Sequence, residues 1–430
     1  MNRVQIGLAI MLFMLLCNYS INIHTGIPYK TFRSELWADR AGYHVYLPAL
    51  FIYQFSANQF PDSIEEFTGH GYKLDNDKVQ TKYTYGVALL QAPFFLGAHI
   101  LTQLRNQTPD GYSIYYRNAV DIAAIFYLIF GMLLLYLSII NFSSSRKWVV
   151  LLALTSLFLG SNVYYYAIME GGMSHIYSFF LFSVLIFINA KWPKDKSHLW
   201  VWVAESLIVS LIVLIRPINL VFATLPIFWN TNTFAELRQH IFYQLRPKRL
   251  LVWLICITLV ALPQLMYWKY AYGSFIKDTY TNEGFVNLTK PYVFGVLFAP
   301  ANGLLPYSVI MIGVLFGCLF LLRANHWMGK LCLMHFVGIV YLTASWYTWQ
   351  FGCSCGMRNM VEYSSILAFP LTIFFDKVIY QTPKVPKVII LVVLTLLVMI
   401  NLKVNYHFYG CYFTGTWNWD DYLKTLFYDL

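Results

Sequence analysis

The sequence predicts an all-α polytopic membrane protein with about eleven transmembrane helices and further interfacial helices in its first outer loop. Composition is the first observation: 58% of the 430 residues are hydrophobic and only 12% are charged, whereas soluble domains carry roughly 25% charged residues. The second is a series of apolar runs whose lengths are close to what a spanning helix needs, about 17–25 residues. The third is a one-sided distribution of lysine and arginine. We treat residues 1–430 as a single transmembrane domain.

Apolar runs follow one another along most of the chain. The first is interpreted as a retained signal anchor, because no small-residue cleavage site follows it. The run 199–230 is too long for one span and is interrupted by Arg216-Pro217, so it is divided into two helices. The shorter runs are compatible with tilt or local bilayer thinning. The predicted spans are 4–22, 119–141, 148–166, 174–191, 199–216, 217–230, 250–269, 304–322, 331–347, 361–376 and 387–404.

Lysine and arginine indicate the orientation, because cytoplasmic loops carry an excess of both. With the N-terminus inside, the cytoplasmic segments hold 15 of the 30 basic residues, and the short outer loops hold three. These cytoplasmic segments are 1–3, 142–147, 191–198, 231–249, 323–330 and 377–387. The net charge of +10 therefore reflects topology rather than affinity for nucleic acid. The seven scattered cysteines do not form the pattern of a disulfide framework.

The longest polar segment is the first outer loop, 23–118, in which we expect interfacial helices around 43–58 and 86–104. The second of these stretches is apolar enough to span the membrane. Counting it as a span would place Arg146-Lys147 on the wrong side, so an interfacial or re-entrant helix is predicted. The C-terminal tail, 405–430, is rich in tyrosine and tryptophan, as expected at the outer interface.

This topology brings the unusual polar residues to the outer face. The cytoplasmic loops hold little beyond lysine, arginine and turn residues. A transporter would be expected to place polar residues near the bilayer midplane instead. The outer-face residues are Asp39 and Lys82 in the first loop, Glu170 and His175 between the third and fourth spans, Arg216 and Asn219 at the turn of the fifth and sixth, Asn302 before the eighth, and Trp346 to Arg358 between the ninth and tenth.

Asp39 lies in the stretch Trp37–Pro48, just beyond the first span, and is followed by Tyr43 and Tyr46. An acid beside aromatic rings that stack on sugars is suited to act as a general base for an acceptor hydroxyl. The alternative is a surface aspartate near a helix N-terminus, which the local sequence alone favours. The convergence of the other polar residues on the same face favours the base.

Three cations, Lys82, Arg216 and Arg358, are expected at the level of the lipid head groups. Guanidinium groups pair bidentately with phosphate, which makes these residues candidates for holding a lipid phosphate. The alternatives remain open. Lys82 and Arg358 could be ordinary side chains that extend to the membrane interface. Arg216 could donate hydrogen bonds to the backbone carbonyls that the helix break leaves without partners.

Four segments resemble motifs of the GT-C superfamily of integral-membrane glycosyltransferases. The resemblance is to the bacterial branch related to protein O-mannosyltransferases and aminoarabinose lipid A transferases. Two departures are the Cys353-Ser-Cys355 sequence in the late loop, and Glu170 where some relatives have aspartate. The matching segments are Asp39 with Tyr43 to Pro48, Lys82 to Pro93, Leu297 to Ser308, and Trp346 to Arg358.

The resemblance implies an inverting transfer from a polyprenyl-phosphate-linked sugar, with no nucleotide-binding domain. The acceptor is a lipid, a glycan or a protein, and the mechanism that we expect requires no cofactor and no metal. It implies a bacterial inner-membrane protein whose site faces the periplasm. Asp39 and Glu170 are the catalytic candidates, and Lys82, Arg358 and Arg216 would hold the donor phosphate. The candidate sugar- or acceptor-binding residues are Tyr43, Tyr46, Tyr83, His175, Asn302 and Trp349.

Three rival functions remain. A ligase or polymerase that uses lipid-diphosphate-linked glycans would rely on arginine and histidine rather than on an aspartate base. A transporter would need polar groups near the midplane, for which the break at Arg216-Pro217 is the candidate. A non-catalytic lipid-binding protein would tolerate the loss of Asp39.

Overall fold

The protein is described here by a computed structural model that covers residues 3–28, 30–192, 198–281, 283–407 and 417–427. The predicted outer tail, 405–430, lies partly outside these residues. Helices make up most of the described chain. They are α1 Arg3–His24, α2 Asp39–His44, α3 Tyr46–Phe51, α4 Ile64–Phe67, α5 Gly86–Leu104, α6 Ile114–Phe142, α7 Lys147–Leu159, α8 Val163–Ile168, α9 Ser174–Lys191, α10 Leu199–Ile215, α11 Leu225–Phe228, α12 Phe234–Gln244, α13 Pro247–Tyr272, α14 Val293–Phe298, α15 Leu304–Tyr307, α16 Met311–Arg323, α17 Trp327–Ser345, α18 Met360–Gln381, α19 Lys384–His407 and α20 Trp419–Phe427.

Within the described residues, eight helices are long and apolar enough to cross a membrane, and four shorter apolar helices accompany them. Seven of the eight and all four of the shorter ones coincide with the eleven predicted spans; the remaining long helix is α5. The prediction of an all-α polytopic membrane protein is confirmed. The predicted sixth span differs in kind, because its first part, Pro217–Thr224, is a 3-10 helix.

The third and eighth predicted spans are each interrupted. The first break lies at Gly160 to Asn162, between α7 and α8, and the second lies around Ser308, between α15 and α16. The two breaks meet: the Ser308 hydroxyl donates to Asn162 Oδ1 at 3.2 Å, and the Ile310 amide donates to the Gly160 carbonyl at 3.3 Å. Backbone polar groups that lose their helical hydrogen bonds inside a bundle need other partners there. Each of the two breaks supplies such partners to the other.

A small hairpin in the first outer loop stands beside the end of α13. Its strands, β1 Lys73–Asp75 and β2 Lys78–Gln80, are antiparallel and joined by a turn with positive φ at both central residues, as a two-residue hairpin turn requires. Tyrosines of α13 bind the backbone of β2 and the residue after it: the Val79 amide donates to the Tyr270 hydroxyl and the Thr81 amide to the Tyr267 hydroxyl, at 3.0 and 2.8 Å. The loop is thereby attached to α13.

The helix α5 packs antiparallel against only the first half of α6. The Tyr127 hydroxyl donates to the Leu90 carbonyl, and His99 Nδ1 lies 2.8 Å from the Tyr116 hydroxyl. Its first residue, Gly86, contacts the last residue of α10. α5 therefore runs from the outer end of α10 to the start of α6 and does not accompany the rest of α6. The interfacial or re-entrant placement of α5 stays a prediction.

The region around 43–58, where an interfacial helix is predicted, contains two short helices, α2 and α3, and they begin at Asp39. Tyr43, Tyr46 and Leu47 are buried, because these helices pack against α5. Their position at the membrane interface stays a prediction.

The centre of the bundle is formed by α6, α9 and α18, which pack against one another. A Cβ on Gly317 of α16 would lie 1.8 Å from the Pro370 carbonyl oxygen of α18, so only glycine allows this approach. Phe182 and Phe222 stack with centroids 3.6 Å apart. At the periphery, α1, α13 and α19 expose leucine, isoleucine and methionine side chains, which suits contact with lipid.

Candidate active site

Two close backbone approaches set the position of Asp39 at the start of α2. A Cβ on Gly71 would lie 2.0 Å from the Ala38 carbonyl oxygen, and one on Gly42 would lie 2.4 Å from the ring of Tyr83. Ala38 itself has φ of 49°. Any side chain at either glycine would push the loop away. These contacts therefore hold Asp39 and Tyr83 together.

Asp39 accepts hydrogen bonds from two directions. The Tyr83 hydroxyl donates to Oδ1 in a short contact, and Arg358 Nη1 donates to Oδ2 at 3.3 Å. Burial by itself raises the pKa of Asp39, but the charge of Arg358, the Tyr83 hydrogen bond and the charge of Lys82 outweigh it, so the pKa lies below its usual value. The Asp39 carboxylate is therefore ionised at neutral pH. About a third of its side chain, 32%, stays exposed.

Lys82 is held beside this pair rather than extended into lipid. Its Nζ lies 2.8 Å from Glu283 Oε1, and it faces the rings of Tyr83 and Tyr280 at 5.5 and 5.3 Å. The Thr279 hydroxyl also donates to the Lys82 carbonyl at 2.8 Å. The loop between α13 and α14 therefore covers Lys82, and Glu283 is its counter-ion.

The late loop between α17 and α18 delivers Arg358. Its guanidinium lies 5.1 Å from the ring centroid of Phe351, and its Nε has no hydrogen-bond partner among the described residues. Trp349 of the same loop packs against Gly295 of α14, where a Cβ would lie 2.9 Å from its ring. Arg358 thus has one hydrogen bond to Asp39 and a buried Nε with no partner among the described residues.

Asn302 holds the late loop in shape. Its amide nitrogen donates to the carbonyls of Gln350 and Gly352 and to the Ser354 hydroxyl, and its oxygen accepts from the Gly356 amide. Because both ends of this buried amide are engaged, its geometry favours a structural role over the predicted contact with a sugar.

Arg216 belongs to a second, closed cluster. It donates to Glu362 Oε1 at 2.6 Å and to Asn359 Oδ1 at 2.5 Å, and its Nη1 lies 3.1 Å from His175 Nδ1. That same ring nitrogen lies 2.9 Å from Glu362 Oε2. His175 and Glu362 are fully buried. Arg216 therefore already has a counter-ion, and His175 contacts this cluster rather than an open groove.

Glu170 lies in the loop between α8 and α9. Its carboxylate is 3.9 Å from Arg40 Nη1 and 3.5 Å from the Tyr165 hydroxyl. Burial raises its pKa above the usual value, and the nearby charge of Asp39 adds to this, although Arg40 and Arg358 oppose it. The two predicted acids therefore influence each other electrostatically, and their pKa values are shifted in opposite directions.

The predicted tyrosines form one packed group behind Asp39. The rings of Tyr43 and Tyr83 lie 4.4 Å apart, and the Tyr43 hydroxyl donates to Ser174 Oγ at 3.2 Å. The Tyr46 hydroxyl donates to the Tyr83 carbonyl at 2.7 Å. All three side chains are buried, so their contacts position Tyr83 and, through it, Asp39.

Two acids that contact the predicted cations, Glu362 and Glu283, are not among the residues predicted from the sequence. Glu362 is hidden within the apolar run of the tenth span, although an ionisable residue inside a span is itself a signal of a functional or paired group. Glu283 sits in an outer loop with no recognisable pattern. Neither acid, nor Asp39 or Glu170, belongs to a group with metal-ligand spacing; among the described residues that spacing is found for His24, Glu35 and Asp121.

No protein-family model matches the chain, and no curated protein matches it. The arrangement of its helices, however, has the GT-C-like fold that the sequence predicts, and it is similar to that of a solved membrane protein. The matching structure is the archaeal oligosaccharyltransferase AglB from Archaeoglobus fulgidus in complex with an inhibitory peptide and a dolichol-phosphate, with a TM-score of 0.51 and 10% sequence identity.

The match covers 94% of this chain and 56% of AglB, so the chain spans just over half the length of that protein. At this identity the likeness shows the fold alone. The GT-C fold predicted from the sequence is confirmed, whereas the assignment to the bacterial branch stays a prediction.

Proposed function

We propose that the protein transfers a sugar from a polyprenyl-phosphate-linked donor to an acceptor hydroxyl, with inversion, at the periplasmic side of a bacterial inner membrane. The observation that carries the proposal is the convergence of Asp39 and Lys82, from the first outer loop, with Arg358 from the late loop. One ionised acid beside two cations, partly open to solvent, matches the needs of an acceptor hydroxyl and a departing phosphate. The dolichol-phosphate in the AglB structure belongs to the same chemical class as the proposed carrier.

In the proposed reaction, Asp39 accepts the proton of the acceptor hydroxyl. The acceptor oxygen forms a bond to the anomeric carbon while the bond from that carbon to the phosphate oxygen breaks. The polyprenyl phosphate leaves with the electron pair, and Arg358 and Lys82 stabilise its charge. Most of the rate enhancement then comes from positioning and electrostatics.

Donor binding would activate the base. The pKa of Asp39 is lowered largely by Arg358. A phosphate that pairs with Arg358 draws that cation away from Asp39 and raises the basicity of the carboxylate toward the operating pH. Lys82 contributes in the same way after it leaves Glu283. The base would therefore reach full strength only when a donor is present.

The remaining predicted residues take supporting roles in this proposal. Tyr43, Tyr46 and Tyr83 position Asp39, and Trp349 and Glu170 lie in loops available to the sugar or the acceptor. Asn302, His175 and Arg216 act through the structure of the neighbouring loops. The acceptor is a lipid, a glycan or a protein.

A glycan ligase that uses a lipid-diphosphate donor is the second candidate. It is favoured by one observation, the contact between Arg216 and His175 at 3.1 Å, since such an enzyme would use arginine and histidine. Glu362 neutralises that cluster, which makes it the weaker candidate.

The direct test supplies purified protein in nanodiscs with envelope membranes from a deletion strain and a labelled polyprenyl-phosphate sugar. We expect the label to move from the donor to envelope material only when the wild-type protein is added. If the protein binds the donor but leaves it intact, the non-catalytic lipid-binding function replaces this proposal. Transfer from a lipid-diphosphate glycan alone would favour the ligase.

The proposed orientation has its own test. A cysteine introduced at Ser144, between α6 and α7, should be shielded from a membrane-impermeant thiol reagent in intact spheroplasts, and one at Thr281, between α13 and α14, should react. Both positions are exposed, so permeabilised cells should label both. The reverse pattern would place the site in the cytoplasm.

A further inference from the structure

A second polar cluster lies apart from the Asp39 pair, where α1 ends. His24 is the last residue of α1, Glu35 lies in the first outer loop and Asp121 lies in α6. Their ligand atoms are all within 4.8 Å of one another, and the three side chains are at most 3% exposed. Residues from three separate segments thus converge in a region closed to solvent.

The hydrogen bonds of His24 define what faces Asp121. His24 Nε2 lies 3.3 Å from the Met169 carbonyl oxygen, which only accepts, so the ring proton of the neutral imidazole is on Nε2. Nδ1 then points a lone pair at Asp121 Oδ2, 3.0 Å away. Two lone pairs at this distance repel, so a positive species must lie between them, either a proton or a metal ion.

The carboxylates distinguish these two possibilities. Glu35 Oε1 and Asp121 Oδ1 are both buried without a hydrogen-bond partner among the described residues. Arg117 contacts the other oxygen of Glu35, with Nε at 2.6 Å and Nη2 at 2.5 Å. A proton on His24 would satisfy one atom pair and leave both orphaned oxygens, each at a cost of about 1–3 kcal/mol. A metal ion accepts ligands from several directions at once.

We propose that His24, Glu35 and Asp121 bind a divalent transition-metal ion. Metal–ligand bonds of about 2.0–2.2 Å that meet at a right angle place adjacent ligand atoms about 3 Å apart, and His24 Nδ1 and Asp121 Oδ2 are separated by 3.0 Å. One imidazole and two carboxylates suit Mn²⁺ or Zn²⁺. A metal-binding histidine usually donates its other N–H to a carbonyl or carboxylate, as His24 does to Met169.

The ion would organise the loops rather than take part in the transfer. It would join the end of α1, the first outer loop and α6 directly behind the loop that carries Glu170. A Cβ on Gly171 would lie 3.6 Å from Asp121 Oδ1, and one on Gly172 would lie 2.7 Å from the Glu35 carbonyl oxygen. The three ligands are therefore positioning residues, and the inference stands whether or not the protein transfers sugars.

Metal content and melting temperature test the proposal without an activity assay. The tag-free, full-length protein in detergent is supplied with Mn²⁺ or Zn²⁺, desalted and measured by elemental analysis. We expect close to one equivalent bound, a lower melting temperature after chelation, and recovery when the same ion returns. Changes in the partners of a metal ligand alone shift affinity by about 10- to 100-fold, so Asp121→Asn should weaken binding at least about tenfold.

Two further variants keep the outcome decisive. Glu35→Gln removes a ligand from the outer loop and remains informative if Asp121→Asn does not fold. Asp62→Asn changes an exposed acid of the same loop and should bind metal and respond to chelator as the wild type does. The proposal is overturned if the wild-type protein binds no metal and its melting temperature changes neither with chelator nor with added ions. A proton shared by His24 and Asp121 would then replace the metal ion.

Discussion

Two arginine–carboxylate pairs of the bundle differ in contact distance and in the burial of the carboxylate. Arg358 and Asp39 are joined by one contact of 3.3 Å, and their side chains are 17% and 32% exposed. Arg216 and Glu362 meet at 2.6 Å, and Glu362 is fully buried beside His175. The first pair joins two loops, whereas the second joins the end of α10 to the first turn of α18.

The difference shows which ion pair can change partners. A loose, partly solvated pair loses little when a ligand separates it, because its Coulomb energy is already reduced by water. A buried pair cannot be opened without leaving a charge unpaired in the interior. We therefore expect Asp39 and Arg358 to determine activity, and Arg216 and Glu362 to determine folding.

The largest expected effect is on the rate of Asp39→Asn. This change keeps the size of the side chain and removes its ability to accept a proton, and loss of a general base lowers the rate by roughly 100- to 10,000-fold. Donor turnover and melting temperature should be measured together, with Asp62→Asn as the matched control. A folded Asp39→Asn protein with wild-type turnover would end the catalytic assignment.

Glu362→Gln should mainly affect stability. Removing one partner of a buried pair leaves the other charge uncompensated and typically costs about 3–5 kcal/mol, which predicts a large drop in yield and melting temperature. Asp39→Asn should show no comparable drop. If both variants are equally stable, the contrast between the open and closed pairs is wrong.

Arg358→Ala should weaken donor binding while the protein stays folded. A charge-assisted hydrogen bond is worth roughly 1.5–3 kcal/mol, and Arg358→Lys should recover only part of it because a lysine cannot bind phosphate bidentately. Titration with a polyprenyl phosphate measures both variants. Unchanged affinity in Arg358→Ala would remove this residue from the phosphate site.

Glu283→Gln should produce a small gain in affinity. Glu283 Oε1 lies 2.8 Å from Lys82 Nζ in a partly exposed ion pair, and surface ion pairs contribute about 0.2–1 kcal/mol. Without the competing carboxylate, a phosphate ligand should bind up to a few times more tightly. Weaker binding would mean that Glu283 orients Lys82 instead of competing for it.

The smallest effect concerns pH. Because Arg358 and Tyr83 lower the pKa of Asp39, the pair stabilises the fold above the ordinary aspartate pKa of about 3.9 and loses this contribution only as pH falls through the lowered value. The melting-temperature difference between wild type and Asp39→Asn should therefore stay constant from neutral pH to about pH 5 and shrink below that. A difference that vanishes above pH 5 would contradict the lowered pKa.

Much of the membrane architecture could be predicted because it depends on average hydrophobicity. The positions of α9 and α19 follow from run length alone, and the run ending at Arg216-Pro217 was divided correctly because proline interrupts a helix. The breaks at Gly160 and Ser308 could not be predicted, because two or three polar residues barely change the average hydrophobicity of a long apolar run.

The candidate site could be predicted only where charged or polar residues lie in a loop that the sequence identifies. Asp39 and Arg358 were placed on one face by topology, and the structure puts them in contact. Topology gives the level of a residue but not its neighbours, so the buried partner of Arg216 and the convergence of His24 with Asp121 could not be predicted. Those contacts depend on how three or four helices pack.

The attachment of the first outer loop to α13 has a mechanical consequence. Tyr267 and Tyr270 hold the stretch Val79 to Thr81, and Lys82 follows directly. α13 is a long peripheral helix, and such helices change tilt when bilayer thickness changes. A change in the tilt of α13 would move this attachment point and, with it, Lys82 relative to Arg358.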